Sequence, residues 1–174
     1  MPEVMPLVWI DVETTGLDPD YDQLLEVAMV ITDSELEPIA GFDSVVHWTE
    51  FLGVNETVFK MHTDNGLFED CRAGGRSIAD IDELLALLLV RHGIDGNAPL
   101  CGSSIHFDRQ FVKRDLPRTH SLLHYRNVDV SSLKELVIRW APELEYPKTD
   151  HHRAMPDILE SIKALKFYRR AFRL

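Results

Sequence analysis

The run Leu7-Val8-Trp9-Ile10 is apolar throughout and ends in Asp11-Val12-Glu13. An unbroken apolar stretch bounded by a turn reads as a central strand buried on both faces, here residues 6–12. The turn is Thr14-Thr15-Gly16-Leu17-Asp18-Pro19. Residues 24–32 (LLEVAMVIT) and 39–48 read as two further strands, the first rich in β-formers. Three strands joined by short turns imply an antiparallel meander.

The pattern then changes period. Residues 55–61 form a weak helical patch. Ser77 begins S-x-x-D, a capping signal, and an apolar-faced helix follows to about Arg91. Residues 97–102 and 127–130 read as short strands. Residues 104–114 read as a helix that ends before Pro117, Ser132-x-x-Glu135 as the cap of a helix to Trp140, residues 142–150 as a polar loop and residues 153–172 as a last helix. The order β-β-β-α-β-α-β-α predicts an α/β fold, a mixed five-stranded sheet flanked by helices, as in a ribonuclease H-like sheet.

The chain has 174 residues, 45% of them hydrophobic, which fits one domain spanning 1–174. At this length folding buries about 70% of the unfolded surface, so no disulfide framework is required. Cys71 and Cys101 show no metal-ligand spacing, and reduced thiols in a cytoplasmic protein are the expectation. The N-terminal MPEVMPLVWID lacks the basic and apolar regions of a signal peptide. The apolar stretch at residues 84–90 is too short to span a bilayer. The net charge of −11 argues against a protein that grips long duplex nucleic acid by general attraction. Residues 106–126 run against that balance. They hold Arg109, Lys113, Arg114, Arg118 and Arg126, three histidines, and only Asp108 and Asp115 as acids. A solvated helix face explains such a stretch as well as a ligand does.

Asp11 and Glu13 lie two apart at the end of the first strand, so they point to one face. Buried acids in an apolar strand are tolerated mainly with a partner or a metal. A strand that simply runs out into solvent is the other reading, and these two residues alone leave both open. Asp108 lies four residues into a helix, among Ile105, Phe107 and Phe111. An exposed acid near a helix N-terminus is its plain alternative. His152 and Asp157 are five apart, too far round for one helical face. One must sit on the loop and the other on the first helical turn, where Pro156 is tolerated.

Taken together, W-I-D-x-E-T-T-G-L, then Ser104-Ile105-x-x-Asp108-Arg109-x-Phe111, then His152-x4-Asp157 resemble the DEDD 3′→5′ exonucleases of the DEDDh branch. Met61-His62-Thr63, Gly66-Leu67, His124-Tyr125-Arg126, Asp129-Val130-Ser131, Leu133-Lys134-Glu135-Leu136 and His152-Arg153-Ala154-Met155 are similar to the oligoribonuclease family within it. Blocks in this order, from residue 7 to about 170, are more specific than any single motif.

The resemblance implies hydrolysis of very short RNA by two divalent ions, Mg²⁺ or Mn²⁺. Such hard ions prefer carboxylate oxygens, and two of them about 3.5–4 Å apart activate water and neutralise charge. It implies that Asp11 bridges both ions, that Glu13 and Asp157 hold the one carrying the water, and that Asp108 supports the second. His152 would take the water's proton, since imidazole titrates near neutral pH. The resemblance further implies that Leu17 wedges against the bases and that His62 lines the substrate pocket. Ser104, Arg126 and Ser131 would cap the 5′ phosphate, the latter two from the second subunit of a homodimer, and Tyr125 would also cross that interface. Three positions depart from the family: Ser103 replaces an asparagine, Thr57 a pocket tryptophan, and Pro156 a common acid. Losing the tryptophan removes a stacking surface worth about 1–3 kcal/mol per base, which Phe59 or Trp48 is placed to replace. Two other functions stay in view: a DEDDh exonuclease acting on DNA or tRNA 3′ ends, and a catalytically silent nucleic-acid-binding module.

Overall fold

A computed structural model describes residues 6–147, 149 and 151–172. Lys148 and Asp150 of the expected polar loop, and residues 1–5 of the N-terminal segment, lie outside the described residues. The strands are β1 (Leu7–Thr14), β2 (Leu24–Thr32), β3 (Pro38–Val45), β4 (Pro99–Gly102) and β5 (His124–Asp129). The helices are α1 (Glu56–Asp64), α2 (Leu67–Ala73), α3 (Ile78–Arg91), α4 (Ile105–Asp115), α5 (Pro117–Ser121), α6 (Val130–Trp140) and α7 (Ala154–Ala171), with a 3₁₀ turn at Pro142–Leu144.

The sheet order is β3-β2-β1-β4-β5. β1 pairs antiparallel with β2 and parallel with β4, so the expected mixed sheet with a central first strand is what forms. Alternation along β1 splits the core in two. Val8, Ile10 and Val12 pack with Ile81, Leu85 and Leu89 of α3 and Phe111 of α4. Trp9 packs on the opposite face with Ile158, Ile162 and Tyr168 of α7. Asp11 and Glu13 continue the Trp9 side, so they face the helix that carries Asp157.

β1 and β4 pair only at Val8–Leu100 and Trp9–Cys101. Beyond Gly102 the chain turns into α4, so β4 does not follow β1 past Trp9. The turn needs a residue without a side chain: a Cβ on Gly102 would sit 2.9 Å from Ile105 Cδ1 and 3.1 Å from the Ile10 carbonyl oxygen. Clefts at the carboxyl ends of strands, where the order reverses, are the usual ligand sites of α/β sheets.

Several boundaries differ from the sequence expectation. β3 stops at Val45, because the Trp48 indole donates to the Leu24 carbonyl at 2.7 Å and His47 pairs with Arg76. β5 begins at His124, an edge strand whose first residues are polar and exposed. α6 is capped by Asp129, whose carboxylate accepts from Ser131 N, and not by Ser132. Pro117 opens α5 instead of only ending α4, since the Asp82 carboxylate accepts from Arg118 N and Thr119 N at 3.0 and 2.8 Å. α2 is a seven-residue helix entered through Gly66 at φ +78°. The Ser77 cap is present as expected, accepting from Asp80 N at 3.1 Å. No helix among the described residues is long and apolar enough to cross a membrane.

Candidate active site

Ligand oxygens of Asp11, Glu13 and Asp157 lie within 4.8 Å of one another. β1 supplies two of them and the first turn of α7 the third, whose Oδ1 accepts from His151 N at 2.8 Å. Asp108 stands apart from this trio. Its Oδ1 accepts from Val12 N at 3.0 Å, a backbone group that β4 does not reach. Glu13 is buried, and burial pushes its carboxyl up to about 8, aided by the charges of Glu26, Asp157 and Asp108, while Arg153 opposes the shift. Packing acids this closely in a dry place is costly unless a cation joins them. An all-oxygen donor set of this kind fits a hard divalent ion.

His152 sits on the loop just before α7, exposed, with φ +53°. Asp157 lies on the first helical turn, so the two take the loop-and-helix positions that their spacing required. A left-handed backbone at a residue with a side chain costs of order 1–3 kcal/mol and persists only where its surroundings hold it.

His62, which the resemblance places in the pocket lining, is 0% exposed. Its Nε2 lies 3.1 Å from the Thr14 carbonyl and 3.8 Å from Glu13 Oε2. Burial lowers the His62 pKa, so the ring is neutral and Nε2–H donates to Thr14. Phe68 meets the ring edge-on, with centroids 5.5 Å apart. His62 thus lies against Glu13 and the end of β1.

Leu17 is 79% exposed at the tip of the β1–β2 turn. Thr14 Oγ1 donates to the Gly16 carbonyl at 2.6 Å and Asp18 N donates to Asp22 Oδ2 at 2.7 Å, which hold that tip outward. Ser104 and Ser131 meet across the β4 and β5 ends. Both backbone N–H groups donate to Asp129 Oδ1 at 2.9 Å, and their hydroxyls are 3.3 Å apart. This contact lies within one chain. Tyr125 is 72% exposed, and the Arg126 guanidinium lies 5.4 Å from its ring centroid. Of the two aromatic residues set against the Thr57 departure, Trp48 is committed to its bond with Leu24, whereas Phe59 is exposed and rests 5.7 Å from Phe68. Ser103, the second departure, pairs its hydroxyl with that of Ser161 at 2.8 Å.

The sequence reading missed Glu26. It lies opposite Glu13 in the β1–β2 register and is buried. Arg153 grips it, Nε within 3.2 Å of both oxygens and NH2 3.0 Å from Oε1, and Ala154 N donates to Oε2 at 3.0 Å. The signal was available: an acid inside an apolar β-run, beside the Arg153 of the His152 block. Glu26→Ala leaves Arg153 with only Asp70 and the Asn65 carbonyl, and leaves Ala154 N without its acceptor. The expected cost is about 2–4 kcal/mol, at or below the range for breaking a buried pair because Arg153 is partly exposed. A denaturant midpoint equal to the parent protein's would show that this pair holds nothing.

Comparison with known proteins bears on this arrangement. A family model described as Exonuclease matches residues 8–165. The chain is 44% identical over 173 residues to the oligoribonuclease of Corynebacterium diphtheriae, covering 95% of this chain and 82% of that protein. It is 43% identical over 169 residues to the oligoribonuclease of Pseudomonas syringae pv. tomato, covering 95% of each. A probable oligoribonuclease of Caenorhabditis elegans is 42% identical, over 94% of this chain and 86% of its own length. Among solved structures, a zinc-bound E. coli exonuclease I–single-stranded DNA complex superposes with a TM-score of 0.76 at 15% identity. That match covers 97% of this chain but only 41% of the other, and it bears on the fold alone. The chain belongs to the exonuclease family, and within it to the oligoribonucleases.

Proposed function

We propose that this protein is a 3′→5′ exoribonuclease that hydrolyses very short RNA, dinucleotides included, to mononucleotides. The observation that carries the reading is the convergence of Asp11, Glu13 and Asp157 where the carboxyl end of β1, the central strand, meets the first turn of α7. In this reading two divalent ions, Mg²⁺ or Mn²⁺, are held by Asp11, Glu13 and Asp157, with Asp108 supporting the second from outside the trio. When bound, such ions would supply charge neutralisation and would make a water's proton easier to remove than in bulk. His152 would accept the proton of the attacking water at its imidazole. Neutral His62, donating to Thr14, fixes the end of β1 and so the direction of Glu13. Leu17 wedges between bases, and Phe59 offers the stacking face that Thr57 lacks. Ser104 takes the 5′ phosphate, with Arg126 and Ser131 reaching in from the second subunit of a homodimer. Exposed Tyr125 and Arg126 support a homodimer in which they reach a neighbouring site. The reading extends to a single exonuclease domain over residues 1–174 working in the cytoplasm. Its two thiols, buried and free, fit a reducing compartment.

The test compares a two-nucleotide RNA with long single-stranded DNA. Mononucleotide release from the dinucleotide is expected with Mg²⁺ or Mn²⁺, with none in chelator and recovery on adding metal back. Faster turnover of the DNA would move the protein to another DEDDh activity. No release with either ion would make it a silent binding module.

A further inference from the structure

The backbone of His152 is held by a residue that neither the acidic cluster nor the substrate contacts use. Asn65 caps the end of α1, and its side-chain Nδ2 donates to the His152 carbonyl at 2.7 Å. The other end of the same amide is also engaged, since Oδ1 accepts from Leu67 N at 3.1 Å, at the start of α2. With donor and acceptor both used, the amide has one orientation. The Asn65 carbonyl in turn accepts from Arg153 NH1 at 3.4 Å, and the Arg153 NH2 that reaches Glu26 also lies 3.0 Å from Asp70 Oδ2. The segment that presents His152 is therefore pinned from α1, α2 and β2 together. It needs such holding, because His152 has φ +53° and no glycine to make that easy.

We infer that Asn65 is a positioning residue for His152, its amide fixing the carbonyl that sets where the imidazole points. The inference rests on the reading of His152 as the base. Without the Nδ2 donor the carbonyl is free to rotate, the backbone relaxes toward an extended conformation, and the ring swings away from the acids. The effect falls on the chemical step, because His152 is not part of the trio and Asn65 is not among the residues placed on substrate.

Asn65→Asp tests this by keeping Oδ1 for Leu67 N while putting a charged acceptor where the donor to the His152 carbonyl was. The expected result is a fall in kcat of at least about tenfold, as misplaced groups give, with KM for the dinucleotide within about twofold. In a His152→Ala background the same substitution should cause no further loss. Wild-type kcat in Asn65→Asp, with His152→Ala inactive, overturns the inference and leaves the base assignment standing. An equal fold-loss in both backgrounds also overturns it, since the role would then be structural only. Full activity in His152→Ala removes the base assignment and this inference with it. Asn65→Ala, which adds no charge, is measured alongside so that a folding defect in one variant leaves the other to decide.

Discussion

His152→Ala is expected to fold, to bind divalent metal and to turn over a dinucleotide about a hundred- to ten-thousand-fold more slowly, the range that a positioned general base contributes. The side chain is exposed, so its loss should change stability by less than about 0.5 kcal/mol. Metal binding should survive because Asp11, Glu13 and Asp157 are untouched. Titration with Mn²⁺, a thermal melt and single-turnover kinetics separate these effects. His151→Ala is the control: its backbone N–H bonds to Asp157 and survives the substitution. Comparable activity in wild type and His152→Ala would end the assignment of the base.

Glu13→Gln should move activity and stability in opposite directions. Turnover falls to background, since the variant removes a charged oxygen from the trio. In the metal-free protein the folded-state carboxyl is raised from the ordinary value to about 8, so the folded state keeps a proton that the unfolded chain has lost between about pH 4.5 and 8. Stability therefore declines as pH rises across that window and stays low above it. The shift corresponds to about 3–5 kcal/mol at 1.36 kcal/mol per unit. Glutamine has no proton to lose, so the variant should lack this share of the slope and be the more stable protein at pH 8.5 in chelator. Adding Mg²⁺ or Mn²⁺ should recover the loss in wild type and do little for the variant. Parallel curves of unfolding free energy against pH for the two proteins would sink this account.

Much of this was visible in the chain before it folded. The apolar run of β1 ending in two acids marked both the centre of the sheet and two members of the trio, although those two residues alone left a solvent-exposed strand end equally open. The five-residue spacing of His152 and Asp157 gave a loop position and a helix position, as found. What stayed hidden depends on partners distant in sequence. α5 is capped by Asp82 from α3, which no local pattern announces. β5 begins in polar residues because it is an edge strand, so hydrophobic alternation could not mark its start. His62 matched a family block, but its depth depends on how α1 settles beneath Thr14 and against Phe68. Glu26 passed as one polar residue in a β-rich stretch until its register opposite Glu13 and its grip by Arg153 were seen.

The trio joins the carboxyl half of β1 to the first turn of α7. Every residue between them must be made before the two meet. Until α7 has been made and has docked against β1, Asp11 and Glu13 stand without Asp157 and the set of acids is incomplete. The arrangement makes the site a property of the docked fold and of no single stretch of chain.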